Sequence, residues 1–335
     1  MSKVFALPSI QQFTSSLSTI NEHNFADIAL SLFQFQAENN RVYNAYLKNL
    51  QLEYTKITSI QQIPFLPIEF FKTQQVVAGD WKPEVEFSSS GTTGATTSRH
   101  LVWSLPFYLS QAEFTFERFF GPLKDCAILA LLPSYLEREG SSLIAMIAHF
   151  IRQTHFEHSG FYLHNQEELL IKLEALRQSR KKVILWGVSF ALLDLAEKFE
   201  IDLSHCTLIE TGGMKGRRKE WIREELHSFL CKRFNVPQIG SEYGMTELMS
   251  QAYSMGKGIY ATPPWMNIII REINDPFTKP LHGKAGGINI IDLANVHSCS
   301  FIEAQDLGKT NQNGFFEILG RIDNSDIRGC NLLVG

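Results

Sequence analysis

From Glu84 onward the chain alternates short apolar runs with stretches of helical period, and that alternation limits the fold more than any other feature of the sequence. Candidate strands are 127–132, 183–186 and 207–210, followed by 268–273, 288–291 and 315–319. Helical segments separate the first of these, as at 218–234, where Trp221, Ile222, Leu226, Phe229 and Leu230 share one face. A strand covered on both faces reads as an unbroken apolar run, and a strand–helix–strand rhythm implies crossovers. The pattern therefore predicts an α/β fold with a largely parallel, helix-flanked sheet. The C-terminal stretch is richer in strand and turn and predicts a smaller β-rich lobe. Upstream, Phe25, Ile28, Ala29, Leu32 and Phe33 fall at helical spacing over 24–39. A second helix is expected over 41–54, before Pro64 and Pro67 break the pattern. The expected organisation is a helical segment over 1–80 packed on the main body, an α/β body over 81–260, and the β-rich lobe over 261–335 ending in a mobile tail.

Composition narrows the partners. With 335 residues, 44% of them hydrophobic, the chain has ample apolar surface for a core. A net charge of −4 supplies no overall basic field, so no nucleic-acid partner is expected. The longest apolar stretches, 127–132 and 143–151, fall short of the roughly 20 residues that span a bilayer, so no membrane span is expected. The opening MSKVFALPSIQQF lacks the apolar core and small-residue cleavage site of a secretory leader. Cys126, Cys206, Cys231, Cys299 and Cys330 are scattered with no CxxC pair, which argues against a disulfide framework and structural zinc and points to the cytoplasm.

Four segments carry candidate chemistry. Between Ser88 and Ser98 every side chain is a hydroxyl, a hydrogen or a methyl. Small residues let backbone N–H groups turn toward a ligand and hydroxyls add donors, as a polyphosphate requires, although composition alone also allows a flexible linker. The GxxxxGK[ST] spacing is absent. In Gly240–Glu247, Thr246 stands beside Glu247, a hydroxyl and a carboxylate suited to a phosphate and a Mg²⁺ ion. A turn leading into a helix whose N-terminus carries Glu247 explains the same residues equally well. Gly212 and Gly213 follow a candidate strand, where backbone approaches a flat ring closely, and the basic run Arg217, Arg218, Lys219 meets phosphate or merely solvent. Asp306 and Arg321 form the fourth pair, an acceptor for ribose hydroxyls and a cation for ribose or phosphate. His155, His158 and His164 lack an HExxH context and read as surface or ordinary core histidines. No GxSxG elbow and no GxGxxG fingerprint is present.

In this order the segments resemble the adenylate-forming superfamily of acyl-CoA synthetases and luciferases. Ser89, Ser90, Gly91, Thr92, Thr93 and Gly94 look like its SSGTTG phosphate loop. Tyr243, Gly244, Thr246 and Glu247 look like its YGxTE motif, in which the threonine contacts phosphate and the glutamate holds Mg²⁺. Asp306 is similar to its ribose-binding aspartate, Gly320-Arg321 to the GR before its hinge, and Gly212-Gly213 to its adenine-facing backbone. The segments 63–71, 132–138, 212–220 and 320–330 further resemble the acyl-protein synthetase, or LuxE-type, family, the activating component of a fatty-acid reductase. The resemblance implies ATP and Mg²⁺ as cofactors, a fatty acid as substrate, and an acyl reductase or other acyl-acceptor protein as partner. It also implies an acyl-enzyme thioester on a cysteine near the C-terminus, the position that Cys330 matches. Arg328 beside it favours thiolate and Gly329 gives reach, whereas an ordinary cysteine in a frayed tail is the alternative. Two departures stand out. Thr96-Thr97 replaces the usual ProLys, leaving Arg99 or His100 as the nearest groups to neutralise phosphate, and the mobile lid with its catalytic lysine is not expected after Asp323.

Overall fold

The computed structural model describes residues 10–89, 97–133, 140–212, 221–273, 275, 278 and 283–322. The chain divides into a terminal unit, Met1–Phe70 with Val76–Gly79 and Pro264–Gly335, and a central unit, Phe71–Gln75 with Asp80–Pro263. The N-terminal helices and the C-terminal strands thus belong to one unit.

After a short α1 (Ile10–Ser16), the periodicity at 24–39 becomes α2 (Phe25–Asn39), which buries Phe25, Ala29, Leu32 and Phe33 as expected, and Gln36 besides. The next helix, α3 (Arg41–Asn49), is shorter than the 41–54 predicted. Gln51 turns left-handed at φ +56°, its N–H bonds the Lys48 carbonyl, and the Leu52 N–H bonds back to Leu47. That double closure ends a helix, and because it is usually built on glycine, Gln51 does not announce it. A two-residue strand, β1 (Leu66–Pro67), and a single turn, α4 (Phe70–Thr73), follow.

The central unit opens with an antiparallel hairpin of β2 (Val85–Ser88) and β3 (Arg99–Val102), in which Phe87 faces His100 and Ser88 faces Arg99. Its α5 (Leu105–Phe120) starts at Ser104, whose hydroxyl accepts the Phe107 N–H at 3.3 Å, and stops at Gly121. Then come β4 (Cys126–Leu131), α6 (Ser142–Gln153), β5 (Gly160–Phe161), α7 (Gln166–Ala175), β6 (Lys182–Val188), α8 (Ser189–Lys198), β7 (Cys206–Thr211), α9 (Arg223–Phe234) and β8 (Gly240–Tyr243). The strands β9 (Ala252–Ser254) and β10 (Ile259–Ala261) complete the unit. Their order is β10-β9-β8-β7-β6-β4-β5, parallel from β5 to β8 and antiparallel beyond. All of β4 is buried, and all of β6 past Lys182, as strands with both faces covered must be. Trp186 sits between Phe116, Phe150 and Tyr253, with ring centroids 6.1 to 6.2 Å apart. At Gly187 a Cβ would come within 2.7 Å of Leu192, so only glycine lets α8 lie this close to β6. The helix predicted over 218–234 begins at Arg223; Ile222 is extended and exposed, and Leu226, Leu230 and Phe234 form the buried face.

In the terminal unit β11 (Met266–Arg271), β12 (Gly286–Asp292), β13 (Phe301–Thr310) and β14 (Phe316–Arg321) form an antiparallel meander, and β1 pairs parallel to β13. Phe301 packs against Phe33, Tyr43 and Phe65. Polar groups fix the helices to the turn after β12. Gln36 Nε2 donates to the Asn295 and Val296 carbonyls, its Oε1 accepts the Ser300 N–H, and Asn40 Nδ2 donates to the Ser298 carbonyl at 3.0 Å. Among the described residues no helix is long and apolar enough to cross a membrane.

Candidate active site

The expected phosphate loop leaves β2 and returns on β3. The Ser89 N–H donates to the Ser98 carbonyl at 3.0 Å and the Ser98 N–H donates to Ser89 Oγ at 2.9 Å, so the two strands close a neck below the loop. Ser89 is part of that neck. Ser90, Gly91, Thr92, Thr93 and Gly94 lie outside the described residues, as do Gly213, the basic run 217–219 and Cys330. Strand alternation separates the two groups considered for phosphate: Arg99 is exposed, whereas His100 is 1% exposed, lies edge-on to Phe71, and bonds the Thr246 carbonyl through Nδ1 at 2.8 Å.

Tyr243 ends β8, buried and edge-on to Tyr260, and the chain then turns at Thr246–Glu247, where the Leu248 N–H reaches the Met245 carbonyl at 3.2 Å. No helix follows, so helix-terminus capping is not what Glu247 does here. Its side chain is buried at 4% exposure, a setting in which a carboxylate requires hydrogen bonds or a cation. A Cβ at Gly244 would meet the end of the Glu242 side chain. Glu242 in turn accepts from the Thr211 hydroxyl at the end of β7.

Gly212 follows β7 with φ +69°. Its carbonyl lies 2.9 Å from the Ser189 hydroxyl, which also donates to Glu210, and His227 Nε2 stands 3.8 Å from the other Glu210 oxygen. Tyr243 thus lies at, and Gly212 and the Thr246–Glu247 turn beyond, the carboxyl ends of neighbouring parallel strands, the end of an α/β sheet where ligands bind. The sequence did not single out Glu242, Ser189 or the Thr246 contact of His100. Strand alternation puts His100 and Arg99 on opposite faces of β3, and only the packing decides which of them is inside.

In the terminal unit Asp306 and Arg321 are register partners across β13 and β14, with Arg321 Nε 3.7 Å from Asp306 Oδ1. The arginine is 77% exposed and the aspartate 17%, so the pair presents a carboxylate edge beside a solvated cation. A cleft of about 590 Å³ in the same unit is lined by Ile57, Ile63, Phe65 and Arg271. Arg271 spends its guanidinium on Asn289, the Glu272, Ile273 and Ala304 carbonyls, and Glu303, while Lys56, which also lines the cleft, pairs with Glu53 at 2.8 Å.

Among the described residues no group of three or more His, Cys, Asp or Glu side chains is arranged to hold a metal. The oxygen donors of Thr246 and Glu247 fit Mg²⁺ in the way nucleotides present it, bound through one or two carboxylates with substrate phosphates supplying the remaining ligands.

No protein-family model and no curated protein sequence matches this chain. Solved structures do. ATP-bound MatB from Rhodopseudomonas palustris superposes with a TM-score of 0.52 at 17% identity, over 70% of this chain and 47% of that one. A long-chain-fatty-acid–CoA ligase, FadD1, from Archaeoglobus fulgidus gives 0.51 at 18% identity, over 70% and 50%. The open conformation of 2-hydroxyisobutyryl-CoA ligase, in complex with 2-HIB-AMP and CoA, gives 0.64 at 10% identity, over 97% and 76%. The chain has the fold of these ligases. It spans about half the length of the MatB and FadD1 chains that it matches.

Proposed function

We propose that this chain activates a carboxylic acid, specifically a fatty acid, as an acyl-adenylate at the expense of ATP, and passes the acyl group to its own Cys330. The observation that carries the proposal is the Thr246–Glu247 turn: a buried carboxylate beside a hydroxyl, past the end of a parallel strand, hydrogen-bonded through His100 to the strand that leaves the Ser/Thr/Gly loop. In the proposed reaction a carboxylate oxygen attacks the α-phosphorus of ATP, the bond to the β-phosphate oxygen breaks, and pyrophosphate leaves. Ser89, Ser90, Gly91, Thr92, Thr93 and Gly94 orient the β- and γ-phosphates, Thr246 the α-phosphate, and Asp306 and Arg321 the ribose. Gly212 and Gly213 approach adenine, Tyr243 and Gly244 contribute to the nucleotide site, and Glu247 holds Mg²⁺. The ion, when bound, neutralises charge on the phosphates. Positioning and electrostatics supply most of the rate in such a transfer. The Cys330 thiolate then attacks the acyl carbonyl carbon, the bond to the phosphate oxygen breaks, and AMP leaves. An acyl reductase or another acyl-acceptor protein takes the acyl group from the thioester.

Elimination supports Cys330. Burial pushes the Cys126 thiol up to about 11 and the Cys206 and Cys299 thiols up to about 12, and raises Cys231 as well, which leaves all four poor nucleophiles at neutral pH. The test is pyrophosphate exchange with Mg·ATP over a panel of acids from acetate to stearate. Exchange is expected with long-chain acids, and labelled acid should leave hydroxylamine-sensitive label on the protein. Cys330→Ser should lose that label and keep exchange. No exchange with any acid removes the catalytic reading. Label recovered on coenzyme A, the acceptor named for FadD1 and 2-hydroxyisobutyryl-CoA ligase, favours a CoA ligase instead.

A further inference from the structure

The hydrogen bond between His100 and the Thr246 carbonyl joins residues 146 positions apart. A carbonyl oxygen only accepts, so Nδ1 of His100 must carry the proton and donate it. Three further observations show that the ring is held for this contact. His100 is almost wholly buried, the Phe71 ring meets it edge-on at 5.8 Å and 90°, and its backbone is paired with Phe87 in the hairpin whose neck Ser89 and Ser98 close. The peptide group is planar, so fixing the Thr246 carbonyl also fixes the direction of the Glu247 N–H and the orientation of the Thr246–Glu247 plane. One imidazole therefore links two segments that both bear on phosphate, the neck of the Ser/Thr/Gly loop and the Thr246–Glu247 turn.

We infer that His100 is a positioning residue for nucleotide binding and adenylation: it acts through its Nδ1–H on the Thr246 carbonyl, setting the Thr246–Glu247 turn against the loop neck, and does not itself neutralise phosphate. The inference rests on the adenylation reading above. It assigns no charge to the ring, so a substitute needs only a donor at the right distance. Asparagine places its side-chain N–H where Nδ1 stands, whereas phenylalanine keeps the ring volume and the contact with Phe71 but has no donor.

The experiment compares the full-length chain with His100→Asn and His100→Phe. It measures Mg·ATP binding by titration calorimetry, pyrophosphate exchange with the best acid of the panel, and thermal unfolding. His100→Phe should unfold near the wild-type temperature, with exchange kcat lowered about tenfold to a hundredfold and Mg·ATP binding weakened, as follows from removing the donor to a part-buried carbonyl at a site that needs it oriented. His100→Asn should recover most of both functions despite the smaller side chain. A purely packing role gives the reverse order, with Phe tolerated and Asn impaired, and that result overturns the inference. So does equal loss in both variants. In the wild-type chain, nitrogen-detected NMR should show His100 as the Nδ1–H tautomer, and the Nε2–H tautomer overturns the inference without reference to activity. Failure of the wild-type chain to bind Mg·ATP overturns the adenylation reading and this inference together, whereas binding unchanged in His100→Phe overturns the positioning role alone.

Discussion

At the scale of single residues, the chemistry-bearing side chains divide by what they contact. Glu247 is buried in a turn, where its carboxylate has no capping role, so its loss should be felt in the rate. Glu247→Gln keeps volume and removes the charge. It should lower the rate of pyrophosphate exchange about 100-fold with little change in unfolding temperature, and unchanged kinetics would remove Glu247 from the metal. In the proposed reaction Asp306 belongs to a different class, since hydrogen bonds to ribose are made equally in ground and transition states. Asp306→Ala should therefore raise KM for ATP, by about tenfold, with kcat nearly constant; a fall confined to kcat would count against the ribose role. The residue types at these positions are readable from sequence because Thr-Glu after Tyr-Gly is a short, contiguous pattern. The burial of Glu247, and its place in a turn that no helix follows, are not readable.

At the scale of elements, local periodicity located the six candidate strands to within a few residues, since an apolar run covered on both faces has few alternatives, but it did not single out β13, the longest of the described strands, or the short ones. Helix ends were harder. The end of α3 rests on the left-handed Gln51, and its start rests on Asn40, whose Oδ1 accepts the Tyr43 N–H at 3.0 Å while Nδ2 donates to Ser298. Asn40→Ala removes a cap and orphans a buried carbonyl, and should cost about 2–4 kcal/mol. Asn24→Ala is the control: Asn24 precedes α2 with no side-chain cap bond, and its bonds, from the Asn21 N–H and to the Thr19 carbonyl, lie where water can replace them, so its loss should cost about 1 kcal/mol or less. Urea midpoints of the two variants test the difference, and equal losses would show that Asn40 is not a tie between helix and turn. Gln36 makes the same point: on α2 it is a polar residue in helical period, yet it is wholly buried because the 295–300 turn offers it carbonyls and an N–H.

At the scale of the whole molecule, stability should depend on pH through His297, which burial holds down to about 4 against an ordinary value of 6.5. Between those values the unfolded chain binds the proton and the folded chain does not, so stability is full above about pH 6.5 and falls as pH drops toward 4, by roughly 3 kcal/mol in all. Urea midpoints at pH 7.5 and 4.5 should show the loss, and His297→Gln should flatten it; an unaltered slope in that variant would assign the effect to other groups. The sequence by itself determined the strand–helix rhythm, and with it the α/β class. It also determined the order of the Ser/Thr/Gly loop, the Gly-Gly, Tyr-Gly-Met-Thr-Glu and Asp–Arg segments, since each lies within a few consecutive residues or one period. Only the tertiary structure decided that the N-terminal helices share a unit with the C-terminal strands, that Gln36 and Asn40 are interior, and that His100 lies against Thr246. Those outcomes depend on which surfaces meet after long loops close, and the closing of a loop leaves no period in the chain that local pattern can register.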